Sequence, residues 1–160
     1  MKIVDAINLR NKLSKVTSLK GLELNYVIKK SIREITDSLV EVVEEEKRIN
    51  AIVTDYATEA KVIYEKASTD EHGVINQSPL NGGMSYKTTE ESKAWLPDAI
   101  AELEEKHKEA LELNREENKK FATFLNETES DFVLKTVPKS SVPQDIDTEN
   151  LDLIFDLITE

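Results

Sequence analysis

Several residue types are absent or rare in this chain of 160 residues. Cysteine is absent, which excludes a disulfide framework, thiolate catalysis and cysteine-based metal sites. No segment approaches the roughly 18 consecutive apolar residues that a membrane-spanning helix needs, so we expect no membrane partner. Aromatic residues make up only 6% of the chain and charged residues 33%, a balance typical of helix-rich proteins with thin cores.

Recognisable catalytic motifs are missing as well. The sequence contains no glycine-rich phosphate loop, no nucleophile elbow and no pair of histidines at metal-ligand spacing. We therefore predict no enzymatic activity, no metal and no cofactor. The net charge of −11 argues against nucleic-acid binding, which requires a basic face. It is compatible with a protein partner that has a basic surface.

The strongest pattern is a series of apolar residues at steps of four and three, the spacing of a coiled-coil seam. This first seam predicts one long helix over residues 22–68, preceded by a short amphipathic helix within residues 1–20. Glu46 is the one polar residue where the spacing asks for an apolar one. The apolar members are Ile28, Ile32, Ile35, Leu39, Val42, Ile49, Val53, Tyr56, Ala60, Ile63 and Ala67.

Further apolar residues flank the first seam. They either widen the core or meet a second subunit, and the second reading predicts a homo-oligomer. These flanking residues are Val40, Val43, Ile52 and Val62.

A second helix is predicted over residues 89–128. Thr88 and Glu91 have the spacing of a capping box. Pro97 requires either a kink or a separate turn before a helix that begins near Leu96. From Leu96 a second seam begins, which is apolar at both ends and polar in its middle. Its members are Leu96, Ile100, Leu103, His107, Ala110, Asn114, Glu117, Phe121 and Phe124.

Residues 69–88, which we call the tip segment, separate the two predicted helices. They hold three of the four glycines, and Asn81-Gly82 is a strong turn signal. Across this turn, Val74–Gln77 and Met84–Lys87 could pair as a small hairpin. Because loops carry function more often than scaffolds do, candidate interaction residues lie here, with a plain connector as the alternative. The candidates are His72, Asn76, Asn81 and Tyr86.

Two helices joined by such a connector are expected to pack antiparallel. We take Ile63 to lie level with Leu96. In that register Glu46 lies level with Asn114, inside the polar part of the second seam. The layer so formed could fix the helix register, could be a thin solvated section, or could bind a metal or ligand. Its candidate members are Glu46, His107, Asn114 and Glu117.

The pattern changes after Thr128. Residues 131–137 alternate and are rich in β-formers, so we predict a short strand that ends at Pro138. Asp147 is a good N-cap for a final helix over residues 148–159. Residues 1–20 carry a local charge of +4 and residues 140–160 carry −6, so we expect the chain ends to pack together.

The predicted fold class is therefore mainly α, in a single domain over residues 1–160. It is a long antiparallel helical, coiled-coil hairpin with a β-hairpin-like tip. A small base is made of the N-terminal helix together with the short strand and the C-terminal helix, the last two within residues 131–160.

Two runs resemble a known group of proteins. They are Leu19–Lys30, which opens the long charged helix, and Val142–Thr148, which precedes a short apolar helix. Both resemble runs in small, uncharacterised helical proteins of tailed phages and prophages. The opening run Met1–Arg10 is also similar to an uncharacterised family of bacterial coiled-coil proteins. The phage resemblance implies a phage or prophage origin and implies no site residues.

The expected function follows from these patterns. We expect a non-enzymatic interaction protein, a phage accessory protein that binds a host or phage protein, with inhibition of a bacterial defence as one form. Two alternatives belong to other classes: a small-molecule or metal binder that uses the tip segment or the polar layer, and a structural spacer or virion assembly chaperone. Met1–Asp5 is not followed by a long apolar run, so we predict no signal peptide and a location in the cytoplasm, the host's if phage-encoded.

Overall fold

A computed structural model describes residues 1–16, 21–80 and 83–159 of the chain. Over these residues the protein is mainly helical, with a few short strands. The seven α-helices are α1 (Ile3–Leu13), α2 (Leu22–Ser38), α3 (Val40–Ala51), α4 (Thr54–Ala67), α5 (Leu96–Lys106), α6 (Lys108–Glu127) and α7 (Thr148–Ile154). The strands are β1 (Gln77–Leu80), β2 (Gly83–Tyr86), β3 (Val137–Pro138) and β4 (Ile158–Thr159).

The described residues form two compact units. The terminal unit comprises Met1–Glu46 and Lys120–Glu160, and the central unit comprises Lys47–Lys119. That residues 1–160 form a single domain stays a prediction. None of the helices in the described ranges combines the length and apolar composition that crossing a bilayer requires.

The single helix predicted over residues 22–68 is interrupted twice. At Leu39 the N–H bonds to the Thr36 carbonyl, three residues back, instead of four. Just before it, the hydroxyls of Thr36 and Ser38 donate to carbonyls of the same helix, at 2.7 and 2.8 Å, a contact that bends helices. The second interruption falls at Ile52–Val53. These two residues and Thr54 are three β-branched residues in succession, which disfavour a regular helix.

Burial follows the two predicted seams closely. All apolar members of the first seam are buried or half-buried, and Glu46 is exposed. The second seam is buried or half-buried from Leu96 to Phe121. Phe124 is exposed instead, and Leu125 packs against the core of the terminal unit. Of the flanking residues, Val40 and Val62 are exposed, whereas Val43 and Ile52 are half-buried.

The core of the terminal unit joins both ends of the chain, as the opposite local charges predicted. One face of α1 and one face of α2 meet side chains from the last thirty residues of the unit. Lys12 of α1 reaches Asp156 at 3.4 Å across this contact. The fully buried members include Ala6, Leu13, Leu24, Ile35, Leu39, Val137, Ile154 and Leu157.

The strand predicted over residues 131–137 is wrong for most of its length. Only Val137–Pro138 is a strand, and it pairs in parallel with β4. The alternation that suggested a longer strand has another cause: Phe132 is buried, Val133 is exposed and Leu134 is half-buried along an extended segment.

The final helix is shorter than predicted. Asp147 is its N-cap, as expected, because its carboxylate accepts a 2.7 Å hydrogen bond from the Asn150 N–H. The helix ends at Ile154, and Phe155–Leu157 forms a 3-10 turn before β4.

The tip segment contains the expected hairpin, with one strand displaced. β1 pairs antiparallel with β2, and Gln77 is opposite Tyr86. The first strand therefore begins three residues later than predicted, at Gln77 instead of Val74. Asn81, a candidate residue, and the predicted turn Asn81-Gly82 lie outside the described residues.

The start of the second helix follows one of the two predicted alternatives. A 3-10 turn at Ser92–Ala94 precedes α5, and Pro97 lies in the first turn of that helix. The expected capping box at Thr88 and Glu91 is wrong, because the Thr89 hydroxyl accepts the hydrogen bond from the Ser92 N–H at 3.2 Å.

Replacing Leu24 by Ala tests the terminal core. Leu24 is 0% exposed, so Leu24→Ala is expected to lower the free energy of unfolding by about 2–5 kcal/mol, measured by urea denaturation. Leu22→Ala is the matched control: it lies two residues away on the same helix and is 90% exposed. Equal losses for the two variants would contradict this account of the core.

Candidate functional site

A polar contact group in the central unit is centred on Glu59 of α4. Lys106 of α5 donates hydrogen bonds to both carboxylate oxygens of Glu59, at 2.6 and 2.7 Å. The Nε2 atom of His107 lies 3.1 Å from Oε1 of Glu59. The edge of the Tyr56 ring meets the imidazole ring, with centroids 6.0 Å apart. These contacts hold α4 and α5 in an antiparallel arrangement.

The pKa of Glu59 is lowered by this arrangement. The hydrogen bond from Lys106 is the main cause, and the contact with His107 contributes in the same direction. Partial burial raises the pKa of Tyr56. The two shifts therefore have different causes, an ion pair for Glu59 and burial for Tyr56.

Two further contacts tie α6 to α3 within the central unit. The side-chain amide of Asn114 donates to the backbone carbonyl of Ile49 at 2.8 Å. Arg48 donates to the carboxylate of Glu117 at 2.7 Å. Both contacts join residues far apart in sequence and fix how the two helices are aligned.

The structure does not gather the predicted polar layer into one site. Glu46 belongs to the terminal unit and is exposed. His107, Asn114 and Glu117 each have a separate partner, as described above. Over the described residues, no group of three His, Cys, Asp or Glu side chains is placed to hold a metal ion. The contacts support the register-fixing interpretation of these residues.

The register itself differs from the predicted one by about one helical turn. With Ile63 level with Leu96, Ile49 would lie level with Ala110. Instead Asn114 is the residue that bonds to Ile49. The same offset is present on α4, where the Tyr56 ring meets His107 although the predicted register would set Tyr56 level with Leu103.

The tip segment begins with a tight turn over residues 70–74. The Asp70 carboxylate accepts hydrogen bonds from the N–H groups of His72 and Val74, each at 2.9 Å. Gly73 has a φ of 77°, a conformation that favours glycine. The His72 side chain is exposed and lies 3.6 Å from Glu71. Its imidazole is therefore presented to solvent by a well-defined turn.

Backbone hydrogen bonds join the tip segment to the end of α4. Asn76 donates its N–H to the Ser68 carbonyl at 2.9 Å, and its own carbonyl accepts from Lys87 at 2.9 Å. The N–H of Thr89 donates to the Ala67 carbonyl at 3.0 Å. Asn76, a predicted interaction residue, thus serves mainly to anchor the hairpin.

Aromatic contacts reinforce this anchoring. The ring of Tyr86 stacks on that of Tyr64 with centroids 6.2 Å apart, and its hydroxyl donates to Glu65 at 3.5 Å. The ammonium group of Lys66 lies 5.1 Å from the centre of the Trp95 ring. Tyr86 is therefore half-buried between hairpin and helix.

Four apolar side chains remain exposed around this anchored hairpin, and we call them the tip surface. Met84 lies two residues before Tyr86 on β2 and so shares its face of the hairpin. Ile75 is held beside the end of α4 by a bridge to Thr69. The members of the tip surface are Tyr64, Val74, Ile75 and Met84.

The sequence analysis named Tyr86 but missed Glu59 and the tip surface. Glu59 flanks the seam residue Ala60, so its position next to the helix interface was a usable signal. Exposure of Met84 and Val74 depends on where the strands begin, which the sequence did not define. No model of a known protein family, no curated protein and no solved structure matches this chain.

Replacing Glu59 by Gln tests the ion pair through its pH dependence. The folded-state pKa of Glu59 lies below its ordinary value of 4.5, so its ionised form stabilises the folded state above about pH 4.5. We expect Glu59→Gln to lower the thermal midpoint at pH 7. The difference from the wild type should shrink as the pH falls below 4.5 and through the folded-state pKa. Glu102→Gln, at an exposed site on α5, is the control; a pH-independent difference for Glu59→Gln would contradict the prediction.

Replacing Asn114 by Ala tests the contact that fixes the register. Asn114→Ala removes the hydrogen bond to Ile49 and the one that Asn114 Oδ1 accepts from Asn118 on the exposed helix surface. Loss of the part-buried bond to Ile49 is expected to cost about 1 kcal/mol in the free energy of unfolding. Asn126→Ala is the control, because the Asn126 side chain bonds only within its own helix, to Ala122. The interpretation fails if urea denaturation gives the two variants the same stability.

Proposed function

We propose that this chain is a non-enzymatic interaction protein that binds another protein through its tip surface. The observation that carries the proposal is the exposure of Tyr64, Val74, Ile75 and Met84 around an anchored hairpin. Exposed apolar groups on and beside a loop segment, as here, are typical of protein-binding sites. Tyrosine and methionine are both enriched in such interfaces.

The anchoring of the hairpin supports the proposal. Three backbone hydrogen bonds and the Tyr64–Tyr86 stack hold the segment in one conformation before any partner arrives. A surface that is already ordered loses less conformational entropy on binding.

The charge around the tip surface indicates which charge the partner's surface should carry. Residues 69–91 contain four acidic side chains and one basic side chain. A partner with basic groups around an apolar centre would complement this surface, since rim charges steer association and suppress wrong partners. Such binding should weaken as salt increases.

The phage-like runs give the proposal a concrete form. We propose an accessory protein that acts in the cytoplasm of a bacterial host on a host or phage protein, with inhibition of a bacterial defence as one form.

We also propose that α2–α4 and α5–α6 form the long coiled-coil hairpin that the seams predict. The antiparallel contacts within the central unit support this fold, and exposed apolar residues in both units support self-association.

Charged substitutions in the tip surface test the function. Tagged wild-type protein is used to capture partners from bacterial lysate at low and high salt. Val74→Asp combined with Met84→Asp is expected to reduce capture by at least about tenfold, because two exposed apolar contacts are replaced by charges.

Val62→Asp is the matched control, because Val62 is 61% exposed on α4, close to the 57% of Val74, and lies outside the tip surface. Circular dichroism must show unchanged melting for all variants. The proposal is wrong if no salt-sensitive partner is captured, or if the double variant captures it as well as Val62→Asp does.

A further inference from the structure

Helix α2 of the terminal unit has two opposite faces. One face is buried in the core through Leu24, Ile28 and Ile35. The other carries residues at helical spacing that point away from that core, which we call the basic face. Its members are Leu22, Tyr26, Lys29, Lys30 and Arg33.

The basic face combines apolar exposure with positive charge. Leu22 and Tyr26 are among the exposed large apolar residues of the chain. The Lys30 ammonium group lies 5.5 Å from the centre of the Tyr26 ring, and a shallow depression of about 350 Å³ opens beside them. The apolar residues lie toward the start of the helix, and the cations toward its end.

Neighbouring groups leave this face positive. Glu34 lies 3.9 Å from Lys30 and accepts a 2.9 Å hydrogen bond from Lys135, which adds another cation. Asp37 lies 3.8 Å from Arg33, and both side chains remain largely exposed. With Glu23, exposed at the start of the same helix, four cations and three carboxylates meet here, which leaves one net positive charge in a protein whose net charge is −11.

The C-terminal part of the same unit has a face of opposite charge. Ile154 and Leu157 are buried in the core, and the exposed side of α7 and the following turn carries the acidic face. Phe155 is 69% exposed on it. Asp156 retains partial exposure while it contacts Lys12 at 3.4 Å. The members of the acidic face are Glu149, Asp152, Phe155 and Asp156.

The two faces match in charge, in apolar content and in order. The apolar residues Leu22 and Tyr26 lie at the start of the basic face, whereas Phe155 lies near the end of the acidic face. Antiparallel packing therefore sets Phe155 against Tyr26, and Asp152 against Lys29 or Arg33. Tyr26 to Arg33 covers about two helical turns, or ~10 Å, and Glu149 to Asp156 has the same number of residues, in α7 and the 3-10 turn that follows it.

We infer that a second copy of this chain binds by placing its acidic face on the basic face of the first. Each copy carries both faces, so a two-fold arrangement lets both contacts form at once and closes the dimer. A nucleic acid is a poorer occupant, because the remaining surface of the protein repels a polyanion. This contact lies in the terminal unit, so it is independent of partner binding by the tip surface.

Charge reversal with mixing tests the inference. One variant carries Lys29→Glu and Arg33→Glu, and the other carries Glu149→Lys and Asp152→Lys. Light scattering over a concentration series at about 50 mM and about 500 mM salt gives the mass of each. We expect the wild type to associate at low salt and to dissociate at high salt. Each variant alone should be a monomer near 18.1 kDa, with association at least about tenfold weaker.

The equimolar mixture of the two variants decides the question. In a mixed pair both contacts again join opposite charges, so association should return to the wild-type level. Lys47→Glu with Lys61→Glu is the control for net charge, in the central unit, and should not change the mass. The inference is overturned by a wild type that stays monomeric, by variants that associate normally, or by a mixture that stays monomeric. If Val40→Asp with Val62→Asp abolishes association while the charge reversals do not, the flanking apolar residues are the interface instead.

Discussion

The need to cover the apolar stripes of α2, α3 and α4 governs this structure. In the terminal unit the ends of the chain cover them, with α1 and the segment after Phe132 packing on α2. In the central unit α5 and the first part of α6 cover them, held by contacts such as Asn114 with Ile49. Because an uncovered stripe would expose much apolar surface, the segments at both termini are recruited into the fold.

Periodicity alone predicted the burial of the apolar seam residues, with Phe124 as the exception. Glu46 was expected in a polar layer and is exposed instead. Periodicity did not predict the register, for a physical reason. The register was counted from apolar residues, whereas the contacts that fix it join the Tyr56 ring to His107 and the Asn114 side chain to the backbone carbonyl of Ile49, which apolar matching cannot reveal. The alternation over residues 131–137 was real but reflected burial, since among the described strands only β4 pairs with this segment, and only from Val137.

The candidate site was predictable only in part. Glycine and Asn-Gly signals located the hairpin, and Tyr86 was correctly placed in it. Whether an apolar residue of the tip segment is exposed depends on the strand that contains it and on what packs beside it. The Tyr64–Tyr86 stack joins residues from two elements, so no local pattern in the sequence specifies it. His107 was identified as a polar seam residue, but its contact with Glu59 could be predicted only from the register that the structure shows.

The turn after Ile49 has a consequence for how this fold tolerates change. There the carbonyl of Ile49 accepts a hydrogen bond from Ile52, three residues on, while the N–H of Val53 bonds to Asn50. Asn114 bonds to that same carbonyl from α6. A regular helix would give the Ile49 carbonyl to Val53 and rotate every later residue of α4 about the helix axis. The local helix geometry at Ile52 and the alignment of α6 with α3 therefore depend on the same carbonyl group. An insertion or deletion near residue 52 would have to be matched by a compensating change near Asn114, about sixty residues away in the sequence.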